Sequence, residues 1–192
     1  MLERIKVLTK DYAGIYNLST DKFNKDKAYI DNVYNNKGDR WAEQYKAIKD
    51  GYDNLIGQAK QSAIEETKTI FAEITKKLKA EIVEGVSPEV VAELELLKTT
   101  KVTKEDINAY FEKYSNSYLI CKVLKELADE RKIEVSVVTL QDKLEGLGEL
   151  QTMVIDFYNS YKGPLKSYKC ELILNGAIID NLDKSLQLKY FN

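Results

Sequence analysis

Three pairs of carboxylates come closest to a catalytic constellation: Glu65 with Glu66, Glu93 with Glu95, and Asp129 with Glu130. Two carboxylates in different surroundings can divide the work of general acid and general base. Each of these pairs, however, sits among lysines on a charged stretch, which is the pattern of a solvated helix face. The chain has no histidine, so the commonest general base and the commonest metal ligand are both missing. A metal would need an all-oxygen site, and the alternating aspartate loop that makes a calcium site does not occur. Gly146 and Gly148, in EGLGEL, lack the following Lys-Ser/Thr of a phosphate-binding loop. No nucleophile elbow or kinase signature is present. Cys121 and Cys170 lie far apart and belong to no CxxC pattern, and Cys121 falls in the apolar run YLICKVL, where a buried free thiol is the ordinary outcome. The expectation is a non-enzymatic protein with no catalytic, cofactor-binding or metal-binding residue.

The element that must position everything else runs from Gly38 to Glu84. One apolar or small stripe follows it through Trp41, Tyr45, Ile48, Tyr52, Leu55, Ala59, Ala63, Thr67, Ile70, Ile74, Leu78 and Ile82. Every step is three or four residues, the spacing of one helix face. At 1.5 Å per residue the segment makes a rod on the order of 70 Å long. From Trp41 to Ala59 the steps alternate four and three, as in a coiled-coil seam. Three successive fours after Ala59 make the seam drift. Gly51 and Gly57 mark slight bends or a break near Gly57; the sequence favours one nearly continuous helix over about 40–84. A stripe of this length needs a partner, and a dimer or higher oligomer is expected, with Tyr45, Ile48, Tyr52, Leu55, Ile70 and Ile74 at or near the contact.

Around the rod the chain reads as helices. Leu2, Ile5, Leu8, Tyr12 and Ile15 share a helical spacing, and Ser19, Thr20 and Asp21 offer caps for a second short helix carrying Phe23, Ile30, Val33 and Tyr34. Asn35-Asn36-Lys37-Gly38 is a turn. Gly85 suits the end of the rod, and Ser87-Pro88-Glu89 opens a helix through Lys98. Thr103 caps the next one, with Asp106 near the place of a capping-box carboxylate, and Ser115-Asn116 can divide it. Lys132 to Thr139, KIEVSVVT, has strand-like residues but no partner strand, so it reads as an extended connector. Helical spacing returns from Leu140 to Tyr161 and stops at Gly163-Pro164. Asn175-Gly176 between apolar runs is a hairpin signal. Leu165, Tyr168, Leu172, Ile179, Leu182 and Leu186 nevertheless fit a single helix face, and the helical reading spans more residues.

Composition narrows the function further. With 29 basic and 31 acidic residues the net charge is −2, and neither 1–86 (15 basic, 14 acidic) nor 87–192 (14 basic, 17 acidic) is a polycation. A broad nucleic-acid footprint is therefore not expected. Residues 88 to 132 could form the three short helices of a helix-turn-helix domain. The candidate recognition helix, however, mixes Lys122, Lys125, Arg131 and Lys132 with Glu126, Asp129 and Glu130, which suits a bundle for protein contacts better than a groove reader. Thirteen tyrosines against five phenylalanines suit half-buried seams and interfaces; an AT-rich coding sequence would give the same excess. No apolar segment approaches the roughly 18 residues of a membrane span, and MLERIKVLTKDY lacks a signal-peptide core. The expected location is cytoplasmic.

The run from Ser87 to Ile133, SPEVVAELELLKTTKVTKEDINAYFEKYSNSYLICKVLKELADERKI, carries the cap at Ser87-Pro88, the start at Thr103 and Glu105-Asp106-Ile107, and Lys113-Tyr114 followed by Asn116, Tyr118 and Leu124. It resembles a pattern in small helical structural or assembly proteins of tailed phages of Gram-positive hosts. The resemblance covers about a quarter of the chain and implies a virion or morphogenesis role in a host cytoplasm or particle, with no catalytic residue to carry over. The expected architecture is all-α and at least about 60% helical, with residues 1–86 an elongated helical arm and 87–192 a helical bundle. Its partners are proteins, itself included, with no cofactor and no membrane. The alternative is a small regulatory or anti-defence protein that binds a host protein or nucleic acid.

Overall fold

Asn35, Asn36 and Gly38 all take positive φ, at +50°, +56° and +88°, a conformation that asparagine and glycine adopt more readily than other residues. This turn separates α1 (Leu2–Tyr34) from α2 (Asp39–Ala80). The computed structural model describes residues 2–80, 85–135, 138–163 and 168–186, apart from the side chains of Tyr168, Asp183 and Leu186. Helices account for 84% of the described residues and no strand occurs among them, as the all-α reading requires. The remaining helices are α3 (Pro88–Thr99), α4 (Lys104–Lys113), α5 (Tyr118–Glu130), α6 (Leu140–Ser160), α7 (Tyr168–Leu174) and α8 (Ala177–Leu186).

The rod is one helix through both Gly51 and Gly57; residues 81–84 of its expected span lie outside the described residues. The arm before it differs from expectation. Where the caps at Ser19 to Asp21 suggested two short helices, α1 runs unbroken for 33 residues. The Thr20 hydroxyl donates to the Tyr16 carbonyl one turn back at 2.8 Å, which threonine does inside a helix as readily as it caps one. The seam toward α2 also continues across the site, so tertiary contact overrides the local cap signal. The final stretch, whose apolar residues fit a single helix face, forms two helices instead. Asn175-Gly176 does turn, with Gly176 at φ +79°, but it joins α7 to α8 rather than two strands.

The chain divides into two compact units, though not at 86/87. Unit 1 holds residues 2–72 and 150–182; unit 2 holds 73–149 together with 183–186. The boundaries fall inside α2, α6 and α8. In unit 1, Tyr12 of α1 meets Phe157 and Tyr158 of α6, and Tyr161 just past its end, with ring centroids 6.3, 5.2 and 6.2 Å away, all edge-on, the favoured aromatic geometry. Lys6 reaches Asp180 of α8 at 2.5 Å. In unit 2, Leu94 and Leu97 of α3, Ile107 and Phe111 of α4, and Ile120, Cys121, Leu124, Leu127 and Ala128 of α5 form one apolar cluster.

Unit 2 also closes its helix ends. Thr103 and Asp106 make a reciprocal capping box at α4. Thr139 and Asp142 make another at α6, with the Thr139 backbone N–H donating to Asp142 Oδ2 at 2.8 Å and the Asp142 N–H to Thr139 Oγ1 at 3.3 Å. Helix α5 ends in a Schellman turn: Ile133 N–H donates to the Ala128 carbonyl at 2.8 Å and Lys132 N–H to Asp129 at 3.1 Å, with Lys132 at φ +57° where glycine is usual. The Arg131 guanidinium then donates to the carbonyls of Leu97, Lys98 and Thr100 at 3.1, 2.8 and 2.7 Å. Those are the carbonyls that the end of α3 leaves without helical partners.

Candidate protein-binding surfaces

The six residues expected at an oligomer contact fall into three groups. Tyr45 and Tyr52 are half-buried against Phe23 of α1, with ring centroids 6.2 and 5.0 Å away. The Tyr52 hydroxyl also lies 3.1 Å from that of Thr20. Ile48 and Leu55 line a groove of about 300 Å³ beside Phe23, Ile48 half-buried and Leu55 47% exposed. Ile70 and Ile74 are 0% exposed and have no area left for a second chain. The stripe is thus largely spent inside the chain. Its N-terminal half lies against α1, and its deeper part at Thr67 meets the Tyr158 hydroxyl of α6 at 3.2 Å. A rod that looked unpartnered in sequence has its own α1 as partner, because α1 is a single long helix rather than two short ones.

A different face remains open. Helix α1 is apolar on two sides. Leu2, Ile5, Tyr12 and Ile30 are buried, whereas Val7, Ile15, Leu18, Tyr29 and Val33 are 55, 42, 73, 70 and 50% exposed. At 100° per residue, these five fall within one stripe on the side of α1 away from its buried face. Leu8 borders it, half-buried. The helical spacing alone puts Leu8 and Ile15 on one face with Leu2, Ile5 and Tyr12, and the structure separates them. The signal that separates them is the alternation of Leu8, Asp11, Ile15, Leu18, Lys22, Lys25 and Tyr29 in steps of three and four, a seam in its own right. Five such side chains together expose on the order of 500 Å², the size of patch that monomers keep for a purpose.

Unit 2 offers a smaller surface. A groove of about 460 Å³ lies beside α5, bordered by Tyr118, Cys121, Lys122, Lys125, Leu140 and Leu144. Lys125 reaches Asp142 at 3.1 Å. The Cys121 thiol donates to the Tyr114 carbonyl at 3.3 Å, and burial raises its pKa, so it is held as the thiol rather than the nucleophilic thiolate. Arg131, just past the end of α5, is not available to this groove, since it is committed to the end of α3.

Two of the three candidate carboxylate pairs have ordinary helix-surface partners. Glu66 pairs with Arg4 at 3.6 Å, and Glu65 accepts from Gln61 at 2.7 Å. Glu95 pairs with Lys98 at 2.9 Å. Glu93 accepts from the Tyr114 hydroxyl at 2.7 Å and from Lys113 at 3.0 Å; these two bonds hold its pKa below the usual value. Asp129 borders the α5 groove. Among the described residues no group of three or more histidine, cysteine, aspartate or glutamate side chains is arranged to hold a metal ion, and no helix is long and apolar enough to cross a membrane.

Comparison with protein-family models, with curated proteins and with solved structures gives no significant match.

Proposed function

We propose that this chain is a non-enzymatic protein of the virion-structural or assembly type, acting through contacts between helices. The observation that supports the reading is the outer stripe of α1. A helix already packed along one side keeps Val7, Ile15, Leu18, Tyr29 and Val33 in solvent on the other. An exposed seam of this length is costly to keep and is put to use where a second helix can cover it. The resemblance of residues 87–133 to small phage assembly proteins points the same way. A second reading, a regulatory or anti-defence protein that binds a host protein or nucleic acid, draws on the groove beside α5, which Tyr118, Lys122 and Lys125 all line.

Cross-linking with mass spectrometry in the source cells, combined with proteomics of purified particles, separates the two. Recovery with capsid, portal or tail components supports assembly. Recovery with a host protein alone, or a retarded DNA band at physiological salt, favours the regulatory reading.

A further inference from the structure

The outer seam of α1 is self-complementary. Arg4, Leu8, Asp11, Ile15, Leu18, Lys22, Lys25 and Tyr29 alternate in steps of four and three, so they occupy the a and d positions of a coiled coil. Their spacing is symmetric, and their chemistry complementary, about a point midway between Ile15 and Leu18. Asp11 and Lys22 are equidistant from that point, as are Leu8 and Lys25, and Arg4 and Tyr29. We propose that α1 pairs through this seam with α1 of a second copy, running antiparallel about a two-fold axis at that point.

In that arrangement Ile15 of each copy packs on Leu18 of the other, twice, at the centre. Asp11 meets Lys22 on either side, an opposite-charge layer that fixes the register. Leu8 packs on the methylene stem of Lys25, whose ammonium reaches solvent. At the ends Arg4, already beside Glu66 of its own chain, lies over the Tyr29 ring, the geometry of a cation–π contact. A parallel pair would set Asp11 on Asp11 and Lys22 on Lys22, so the charges select the antiparallel form. Asp11, Lys22 and Lys25 are exposed, and among the described residues no ion pair engages them. The seam from Arg4 to Tyr29 is about 38 Å long. Val7 flanks the seam within that overlap. Isologous pairing is the common way in which such a face closes on itself.

This inference deepens the assembly reading and rests on it. It is tested by sedimentation equilibrium of the full chain at tens of micromolar, with helicity followed by circular dichroism. The wild type is expected to be a dimer. Asp11→Lys and Lys22→Asp, both at exposed positions that leave the fold intact, should each weaken association at least tenfold. The double variant Asp11→Lys/Lys22→Asp should restore it. A wild type that stays monomeric overturns the pairing and leaves the seam to a different protein, in which case particle proteomics still decides the assembly reading. A dimer indifferent to either single swap also overturns the pairing, because it must close through another surface or in parallel.

Discussion

Tyr158 ties three helices together through two atoms. Its carbonyl accepts from Tyr12 of α1 at 3.2 Å and its hydroxyl meets Thr67 of α2 at 3.2 Å. Burial pushes the pKa of that hydroxyl up to about 12, and burial together with the hydrogen bond that the Tyr16 hydroxyl makes to Tyr52 does the same to Tyr16. A tyrosine whose folded pKa lies above its unfolded value of about 10 contributes stability that is complete below about 10 and is lost as pH rises toward 12. Ultraviolet titration should therefore show tyrosines that ionise only as helicity is lost. In Tyr158→Phe that alkaline loss should be less steep, at a cost of about 1 kcal/mol near neutrality. Arg131 makes a second test. Arg131→Met should cost about 2 kcal/mol in urea unfolding, because three carbonyls at the end of α3 lose a charged donor. Lys125→Met, which breaks only a half-exposed ion pair, should stay within about 0.5 kcal/mol. Neither Tyr158 nor Arg131 stands out in sequence as more than a stripe tyrosine and a basic helix-end residue. Their roles depend on partners 146 and about 30 positions away, which no local pattern encodes.

Among the elements, α2 carries two glycines in open positions. A Cβ built at Gly51 or Gly57 meets nothing within 4 Å. Gly51→Ala and Gly57→Ala should each raise stability by about 1 kcal/mol, and a higher melting temperature would show it. Gly176 is the opposite case. Its φ of +79° and the Lys6 side chain 2.9 Å from a built Cβ mean that Gly176→Ala strains the α7–α8 turn and lowers the melting temperature. The helix starts explain the acid side. Hydrogen bonds from the Thr103 backbone and hydroxyl hold Asp106 below its ordinary pKa. Burial opposes the same shift in Asp142, but the Thr139 hydroxyl, the Thr139 N–H and Lys125 together prevail. Stability from such groups is complete above the ordinary carboxylate pKa of about 4 and is lost as pH falls through the lowered folded values. The melting temperature should fall on acidification below that point, and Asp142→Asn should make the fall shallower. Periodicity located α2, α3, α6 and the α4–α5 break because each has a cap, a proline or a glycine where the period stops. It misplaced the start of a second helix in the arm because Ser19 and Thr20 look the same in a cap as in a helix interior. Only the continuous partner face on α2 decides between the two.

At the scale of the whole molecule, the all-α class was legible from the periods and from two prolines in 192 residues. A helix-dominated circular dichroism spectrum should accompany the 84% of described residues in helices. The partition into units was not legible. Composition shifts at Ser87, but Tyr12, Thr67 and Tyr158 draw 150–182 back to 2–72 by contacts far apart in sequence, and such closure leaves no local trace. Unit 1 is therefore interrupted in the chain by 73–149. During synthesis that interruption sets a waiting time. The α1–α2 hairpin leaves the ribosome with Tyr12 and Thr67 still lacking their α6 partners. The 77 residues of 73–149 must then be added before α6 begins to cover them, about 4 to 15 seconds at ordinary translation rates. The inserted stretch 73–149 can begin to fold in that interval while its host remains half-built. A nascent hairpin exposing apolar surface for seconds is a substrate for trigger-type chaperones, and slow codons placed after residue 72 would lengthen its exposure without altering a single side chain.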